Sequence, residues 1–110
     1  MKKNKISKNW LTKQHKDPFF RQSKIQGYRS RSAFKLIEMN KKFKFFNQNT
    51  YLLDLGSTPG GWAQVAAREI TKGKILSLDI KPMLKVNNVN FLRGDLFNSE
   101  IYEKICESFR

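Results

Sequence analysis

The chain has 110 residues, enough for one small domain with one hydrophobic core. Hydrophobic residues make up 39% of it and charged residues 28%, which is typical of a globular chain, and no apolar run approaches the ~18 residues of a membrane span. The single cysteine, Cys106, excludes an internal disulfide framework and a cysteine-rich zinc site, so that we expect a reducing, cytoplasmic setting and no metal.

The positive charge is the first unusual feature of the sequence. Lys and Arg number 22 against 9 acidic residues, which gives a net charge of +13. Residues 1–50 contain 14 of the basic side chains and only 2 of the acidic ones. A basic front half joined to a balanced rear half predicts a surface that binds a polyanion, and nucleic acid is the polyanion we expect. An anionic membrane surface is the alternative, but no amphipathic anchor accompanies the lysines.

The first 50 residues contain one clear helical pattern. Residues 1–18 are predicted to form a flexible basic tail, with a break at Pro18 because proline disrupts a regular helix. Apolar residues then recur at helical spacing from Ala33 onward, and either Ser30 or Ser32 can cap the helix. The pattern predicts a helix over 32–42.

The rear half alternates between strand and helix patterns. Apolar runs predict buried strands at 51–55 and 74–79, with a shorter strand at 89–92. A helix over 62–71, with Gly73 as its C-cap, separates the first two strands. A last helix over 100–109 is capped by Ser99. A strand–helix–strand unit implies a parallel pair, so the sequence predicts an α/β fold with about three parallel strands and flanking helices.

The strongest chemical signal is the run DLGSTPGGW, from Asp54 to Trp62, between the first strand and its helix. Glycines at such a turn allow the backbone to approach a ligand closely. Further acids, Asp79 and Asp95, follow the second and third strands, so that three carboxylates are expected along the carboxyl edge of the sheet. Neither a dinucleotide fingerprint nor a phosphate-binding loop is present. An acid-lined edge suits a cationic ligand with hydroxyls and an adenine, such as S-adenosylmethionine; the alternative is a tight turn with solvated strand ends.

Four motifs follow one another along the chain: YRSRSAFKLIE from Tyr28, DLGSTPGGW from Asp54, DIKPM from Asp79, and FLRGD ending at Asp95. In this order they resemble the FtsJ family of RNA ribose 2′-O-methyltransferases, and most closely its bacterial branch, which methylates a uridine ribose in large-subunit ribosomal RNA. The resemblance covers about residues 8–110. It implies the amino-terminal half of a Rossmann-like class I methyltransferase fold, with an incomplete sheet.

The resemblance also implies a donor and its contacts. The methyl donor would be S-adenosylmethionine, with Gly60 and Trp62 around its methionine part, Asp79 at its ribose and Asp95 at its adenine. Lys35 matches the first lysine of the family's catalytic Lys-Asp-Lys-Glu set.

The other three catalytic residues of the family follow its fourth strand and are expected beyond Arg110. We therefore expect residues 1–28 to form a basic, partly flexible RNA-contacting arm. Residues 29–110 would form a partial methyltransferase domain, truncated before the fourth strand. The 110-residue chain is expected to be inactive by itself.

Arg29 and Arg31 flank Ser30 immediately before the first predicted helix, where they could grip RNA phosphates; the alternative is a solvated basic turn. The predicted function is S-adenosylmethionine-dependent 2′-O-methylation of a uridine ribose in 23S-type ribosomal RNA, by a cytoplasmic and monomeric protein acting on the large ribosomal subunit. The alternative is a non-catalytic basic RNA-binding module or ribosome-associated protein, which would have no use for acids facing a pocket.

Overall fold

The structure, a computed structural model, describes residues 17–110. Residues 1–16 of the predicted tail lie outside the described residues. Within them the elements follow in the order α1 (Pro18–Gln26), α2 (Ser32–Phe43), β1 (Tyr51–Leu55), α3 (Gly61–Glu69), β2 (Lys74–Asp79), β3 (Asn90–Arg93) and α4 (Ser99–Ser108).

The three strands form one parallel sheet in the order β1-β2-β3. Leu55 at the end of β1 pairs with Leu78, and Asp79 at the end of β2 pairs with Arg93. The carboxyl ends of all three strands therefore meet at one edge of the sheet. This confirms the predicted α/β fold with parallel strands.

Helices cover both faces of the sheet. On one face α3 packs on β2 through Ala66, Ile70 and Ile75, and α2 packs on the outside of α3. On the other face Ile105 of α4 packs against Leu76 and Leu78. The central strand β2 is buried on both sides, which is why it is an almost continuous apolar run. None of the helices within residues 17–110 combines the length and apolarity needed to cross a bilayer.

The expected break at Pro18 agrees with the structure, since Asp17 is not helical and α1 begins at Pro18. Proline lacks an N–H, which the first turn of a helix does not need, so it can begin α1, a helix that the sequence did not predict. Helix α2 is confirmed, but neither predicted serine caps it through a side chain. The hydroxyls of Ser30 and Ser32 lie 2.7 Å apart and bond to each other instead.

Two other predicted caps are wrong. Helix α3 ends at Glu69 with Ile70 as its C-cap. Gly73 lies beyond it, where a side-chain Cβ would collide with the backbone of Thr50, so close packing explains this glycine. Helix α4 is capped by Asn98, whose side chain accepts bonds from the Glu100 and Ile101 backbone N–H groups. The third strand is confirmed with a shift of one residue, to Asn90–Arg93.

Candidate functional site

A glycine-rich turn connects β1 to α3 at the carboxyl edge of the sheet. Gly56 has a φ of 70° and Gly60 a φ of 115°, values that residues with a side chain rarely adopt. The N–H groups of Gly56 and Ser57 both donate to the Leu78 carbonyl oxygen, at 2.8 and 3.2 Å. These bonds fix the turn against the end of β2.

A first cleft of about 280 Å³ lies under this turn. Its polar lining includes Ser30, Ser32, Asp54, Ser57 and Thr58, and Trp62 also borders it. Ser57 is 5% exposed, and its hydroxyl is a buried polar atom with no hydrogen-bond partner among the described residues. Because burying an unpaired hydroxyl is unfavourable, this atom indicates a place where a polar ligand group is expected.

Asp54 lies at the buried side of the first cleft. It is 8% exposed, and its Oδ2 accepts a bond from the Ser77 hydroxyl at 3.0 Å. Burial raises the pKa of Asp54, the bond from Ser77 opposes that rise, and the charge of Asp79 adds to it. Three carboxylates were expected along the open edge of the sheet. The Asp54 carboxylate is instead buried, within strand β1.

The raised pKa of Asp54 predicts a pH-dependent stability. The folded protein binds this proton more tightly than the unfolded chain does, so that raising the pH from about 4 through the folded-state pKa lowers the free energy of unfolding. Asp54→Asn keeps an oxygen for the Ser77 bond but has no proton to lose. We expect the variant to gain stability relative to the unchanged protein as pH rises through this window, as measured by urea unfolding at a series of pH values.

The matched control for this prediction is Asp79→Asn. Hydrogen bonds lower the pKa of Asp79, so its contribution to stability is present above its unfolded-state pKa and is lost as pH falls. The two variants should therefore show opposite trends. If the difference in free energy of unfolding between Asp54→Asn and the unchanged protein is the same at every pH, burial does not raise the pKa of Asp54 and the prediction is wrong.

A second cleft of about 210 Å³ adjoins the first and brings Asp79 and Asp95 together. Asp79 accepts backbone N–H bonds on both carboxylate oxygens, from Thr58 at 2.9 Å and from Lys81 at 3.0 Å. These bonds from Lys81 and Thr58 lower the pKa of Asp79 and keep it ionised. Each oxygen retains a further lone pair, so that the carboxylate can still accept a bond from a ligand.

Asp95 lies in the same cleft, just after β3. One of its oxygens, Oδ1, accepts the Phe97 N–H at 3.0 Å, which sets the direction of the side chain. Both clefts are bordered by Leu55 and Gly56. The two clefts therefore share part of their wall at the end of β1 and the start of the glycine turn.

The structure places the three remaining predicted site residues, Trp62, Gly60 and Lys35, at different distances from the two clefts: one at a cleft and two outside both. Trp62 borders the first cleft, and its indole N–H donates to the Ser32 carbonyl at 3.0 Å. Gly60 is a buried residue of the glycine turn and does not line either cleft. Lys35 is exposed on α2 and borders a separate groove, which shares Ser32 with the first cleft. The donor contacts of Gly60 and Trp62, and the catalytic role of Lys35, stay predictions.

The two arginines before α2 differ in their contacts. The Arg29 guanidinium donates to the carbonyl oxygens of Pro59, Leu84 and Lys85, at 3.1, 2.6 and 2.6 Å. Arg31 pairs with Asp17, and its side chain is 58% exposed. Arg31 thus has the more accessible guanidinium, while binding of RNA by either arginine stays a prediction.

Sequence reasoning missed several of these contacts. Asp54 pairs in register with Ser77, so their bond could have been found once the alignment of β1 with β2 was known. Gln64 accepts the Arg29 backbone N–H at 2.8 Å and donates to the Gly27 carbonyl at 3.0 Å. No pattern in the sequence indicated those two bonds, because they join segments that meet only in the folded chain. The described residues contain no cluster of His, Cys, Asp and Glu able to bind a metal ion.

Comparisons with known proteins agree with one another. The family model described as FtsJ-like methyltransferase matches residues 28–110. A protein of Pelagibacter ubique named ribosomal RNA large subunit methyltransferase E is 46% identical over 110 residues, which is 100% of this chain and 54% of that protein. One of the same name from Archaeoglobus fulgidus is 45% identical over 95 residues, covering 86% of this chain and 49% of the relative.

A solved structure also resembles this chain. It is a Plasmodium falciparum protein described as a ribosomal RNA methyltransferase, with a TM-score of 0.66 and 36% sequence identity. The match covers 73% of this chain and 48% of that one. The chain thus spans about half the length of the curated relatives and of the solved structure that it matches.

Proposed function

The chain belongs to the FtsJ-like methyltransferase family, and on that premise we propose that it provides the donor-binding part of an enzyme that methylates a uridine ribose 2′-hydroxyl in large-subunit ribosomal RNA. The proposed donor is S-adenosylmethionine, and the proposed setting is the cytoplasm, where the large ribosomal subunit would be the substrate. The observation that carries the proposal is the pair of clefts that meet at the glycine turn, with two carboxylates in one of them.

The chemistry of the two clefts fits this donor. S-adenosylmethionine carries positive charge, hydroxyls and an adenine, while the described clefts offer carboxylates and an unpaired hydroxyl. Asp79 is ionised and has lone pairs available for ribose hydroxyls. Asp95 has a second carboxylate oxygen besides the one bonded to Phe97, and that oxygen can accept from an exocyclic amine.

The methionine part of the donor would occupy the first cleft. Ser57 would supply its unpaired hydroxyl there, and Asp54 would supply buried negative charge on the side of the donor's cationic groups. Trp62 borders the same space with its ring. We propose Gly60 as a residue whose conformation, rather than its exposed surface, shapes the turn around the donor.

When bound, S-adenosylmethionine supplies an electrophilic methyl group on a sulfonium centre. A ribose 2′-hydroxyl is a poor nucleophile at neutral pH, so that the enzyme must orient it and accept its proton. Lys35 is exposed in a groove that shares Ser32 with the first cleft, and it is the residue of this chain that we propose for orientation. A positive charge alone does not accept the proton, so this step needs a further group.

Selectivity for the donor tests this assignment. Asp79 and Asp95 repel phosphates, so that S-adenosylhomocysteine should displace labelled S-adenosylmethionine in equilibrium dialysis, whereas excess ATP should not. Equal displacement by ATP, or no saturable binding of the labelled donor, would contradict a donor site at these clefts. A non-catalytic RNA-binding module would likewise show no such binding.

The RNA part of the proposal rests on the basic front half. Among the described residues, Lys41, Lys42 and Lys44 are exposed at the end of α2, and Arg21 and Lys24 are exposed on α1. Such a surface neutralises phosphates without reading bases, so its affinity depends on charge and salt. We propose that this surface, together with residues 1–28 and the exposed Arg31, contacts ribosomal RNA.

We expect RNA affinity to fall steeply with salt and to depend little on sequence. Deleting residues 1–16, which contain six lysines, should make the slope of log affinity against log salt shallower, by about 0.7 for each phosphate that the protein no longer neutralises. Filter binding at several salt concentrations measures this slope. Lys104→Gln on α4, outside the basic half, is the control and should leave the slope unchanged. An affinity that barely responds to salt would show the arm assignment to be wrong.

A further inference from the structure

The segment between β2 and β3 runs from residue 80 to residue 89 without regular secondary structure. It borders the second cleft, which Ile80 lines directly after Asp79. A segment without ladder hydrogen bonds needs other contacts to take one position. Two lie at its start, where the Lys81 N–H donates to Asp79 and the Thr58 hydroxyl lies 3.3 to 3.4 Å from two carbonyls.

The middle of this segment is held by Arg29. Its Nη1 donates to the Leu84 carbonyl and its Nη2 to the Lys85 carbonyl, both at 2.6 Å. The same Nη1 donates to the Pro59 carbonyl, at 3.1 Å, inside the glycine turn. One guanidinium therefore connects the glycine turn, which lines the first cleft, with the segment that borders the second.

The position of Arg29 is itself fixed on two sides. Its backbone N–H donates to Gln64 of α3, and Gln64 in turn donates to the Gly27 carbonyl. Gly60 also leaves space for the guanidinium, since a Cβ at that glycine would lie 2.8 Å from Nη1. Gly60, with its left-handed backbone conformation, and the Arg29 side chain are thus packed directly against each other.

We propose that Arg29 is a positioning residue, which sets the glycine turn and the 80–89 segment at the separation that donor binding requires. The guanidinium is suited to this because it is planar and presents several N–H donors in fixed directions, which one lysine ammonium cannot reproduce. A preformed cleft avoids the cost of ordering two segments when the ligand binds. The proposal rests on the proposed donor site and extends it to a residue outside both clefts.

Arg29→Lys separates this role from a contact with RNA phosphates, because it keeps the charge and removes the planar fork. In a Trp10→Phe background, Trp62 is the remaining tryptophan and reports on the first cleft through its fluorescence. We expect Arg29→Lys to weaken binding of S-adenosylhomocysteine by about tenfold or more, since bonds from a charged donor group are removed. Arg110→Lys, the same change at an exposed residue after α4 that lines neither cleft, should leave the affinity within about twofold.

Amide hydrogen exchange tests the same role without a ligand. Arg29→Lys should speed exchange of the Lys81 and Val89 amides, which are bonded within or next to the 80–89 segment, while amides inside β2 keep their rates. Unchanged exchange in the segment, or a uniform increase that includes β2, would overturn the positioning role. Equal donor affinity of Arg29→Lys and the unchanged arginine would overturn it as well. Failure of the protein with Arg29 intact to bind the donor would contradict the proposed function, and the exchange measurement would still decide the role of Arg29.

Discussion

A polypeptide of these 110 residues alone should give background counts in a methyl-transfer assay with labelled S-adenosylmethionine and unmethylated large ribosomal subunits. Of the family's four catalytic residues, the resemblance carries over only Lys35, which is exposed on α2 and contributes a charge. We do not expect Asp54 or Asp79 to act as the base, because Asp54 is buried against Ser77 and backbone hydrogen bonds hold the pKa of Asp79 below its ordinary value. General-base assistance is typically worth about 10²- to 10⁴-fold in rate, and correct positioning can be worth more.

The positive control for that assay is a full-length relative, such as the Pelagibacter ubique protein, with the same subunits. If the 110-residue polypeptide methylates the subunits at a rate near that of the relative, the catalytic assignment based on the Lys-Asp-Lys-Glu set is wrong. A different active site among these 110 residues would then have to be sought.

Asp79→Ala should lower the affinity for S-adenosylmethionine by about 10- to 150-fold, as measured by calorimetry. Two effects add up in this variant. The ribose hydroxyls lose their proposed acceptor, and the Thr58 and Lys81 N–H groups lose the carboxylate that joins the glycine turn to the end of β2. Asp79→Asn keeps an acceptor without the charge and should have an intermediate affinity.

The matched control for Asp79→Ala is Glu103→Ala, which removes an exposed carboxylate of α4 outside both clefts. It should bind the donor as the unchanged protein does. Equal donor affinity for Asp79→Ala and the unchanged protein would refute the assignment of Asp79 to the donor's ribose.

The positions of the strands along the chain could be predicted from the sequence, because they depend on the local pattern of apolar and turn residues. The apolar run that forms β2 is buried, as its pattern predicts. The run that forms β1 is a strand as predicted, but the expected burial is wrong there, because Tyr51 and Leu55 are exposed at the edge of the sheet. The helix ends were harder to predict. Gly73 has the residue type of a C-cap but is required by its contact with the Thr50 backbone, which only the folded chain creates. Asn98 and Ser99 are both good capping residues, and the sequence does not decide between neighbours.

The location of the candidate site, at the carboxyl edge of the sheet, could be predicted from the sequence, but the contacts of its side chains could not. Asp79 and Asp95 lie in one cleft, as expected from their positions after adjacent parallel strands. Asp54 also lies near the end of a strand, so the sequence predicted the same position for it. It is instead the fourth residue of the five-residue strand β1, where it pairs with Ser77 of β2 and is buried. The bonds of Arg29 to three carbonyls depend on the path of two irregular segments, which periodicity does not describe.

The central claim is that one donor molecule occupies both clefts around the glycine turn. Titration of the ¹⁵N-labelled protein with S-adenosylmethionine, followed by backbone amide chemical shifts, tests it most directly. We predict saturable shifts of the amides of Gly56, Ser57 and Trp62 at the first cleft, and of Ile80 and Leu96 at the second, with the same dissociation constant. Saturable shifts confined to other parts of the chain, or no shifts at millimolar donor, would contradict the claim.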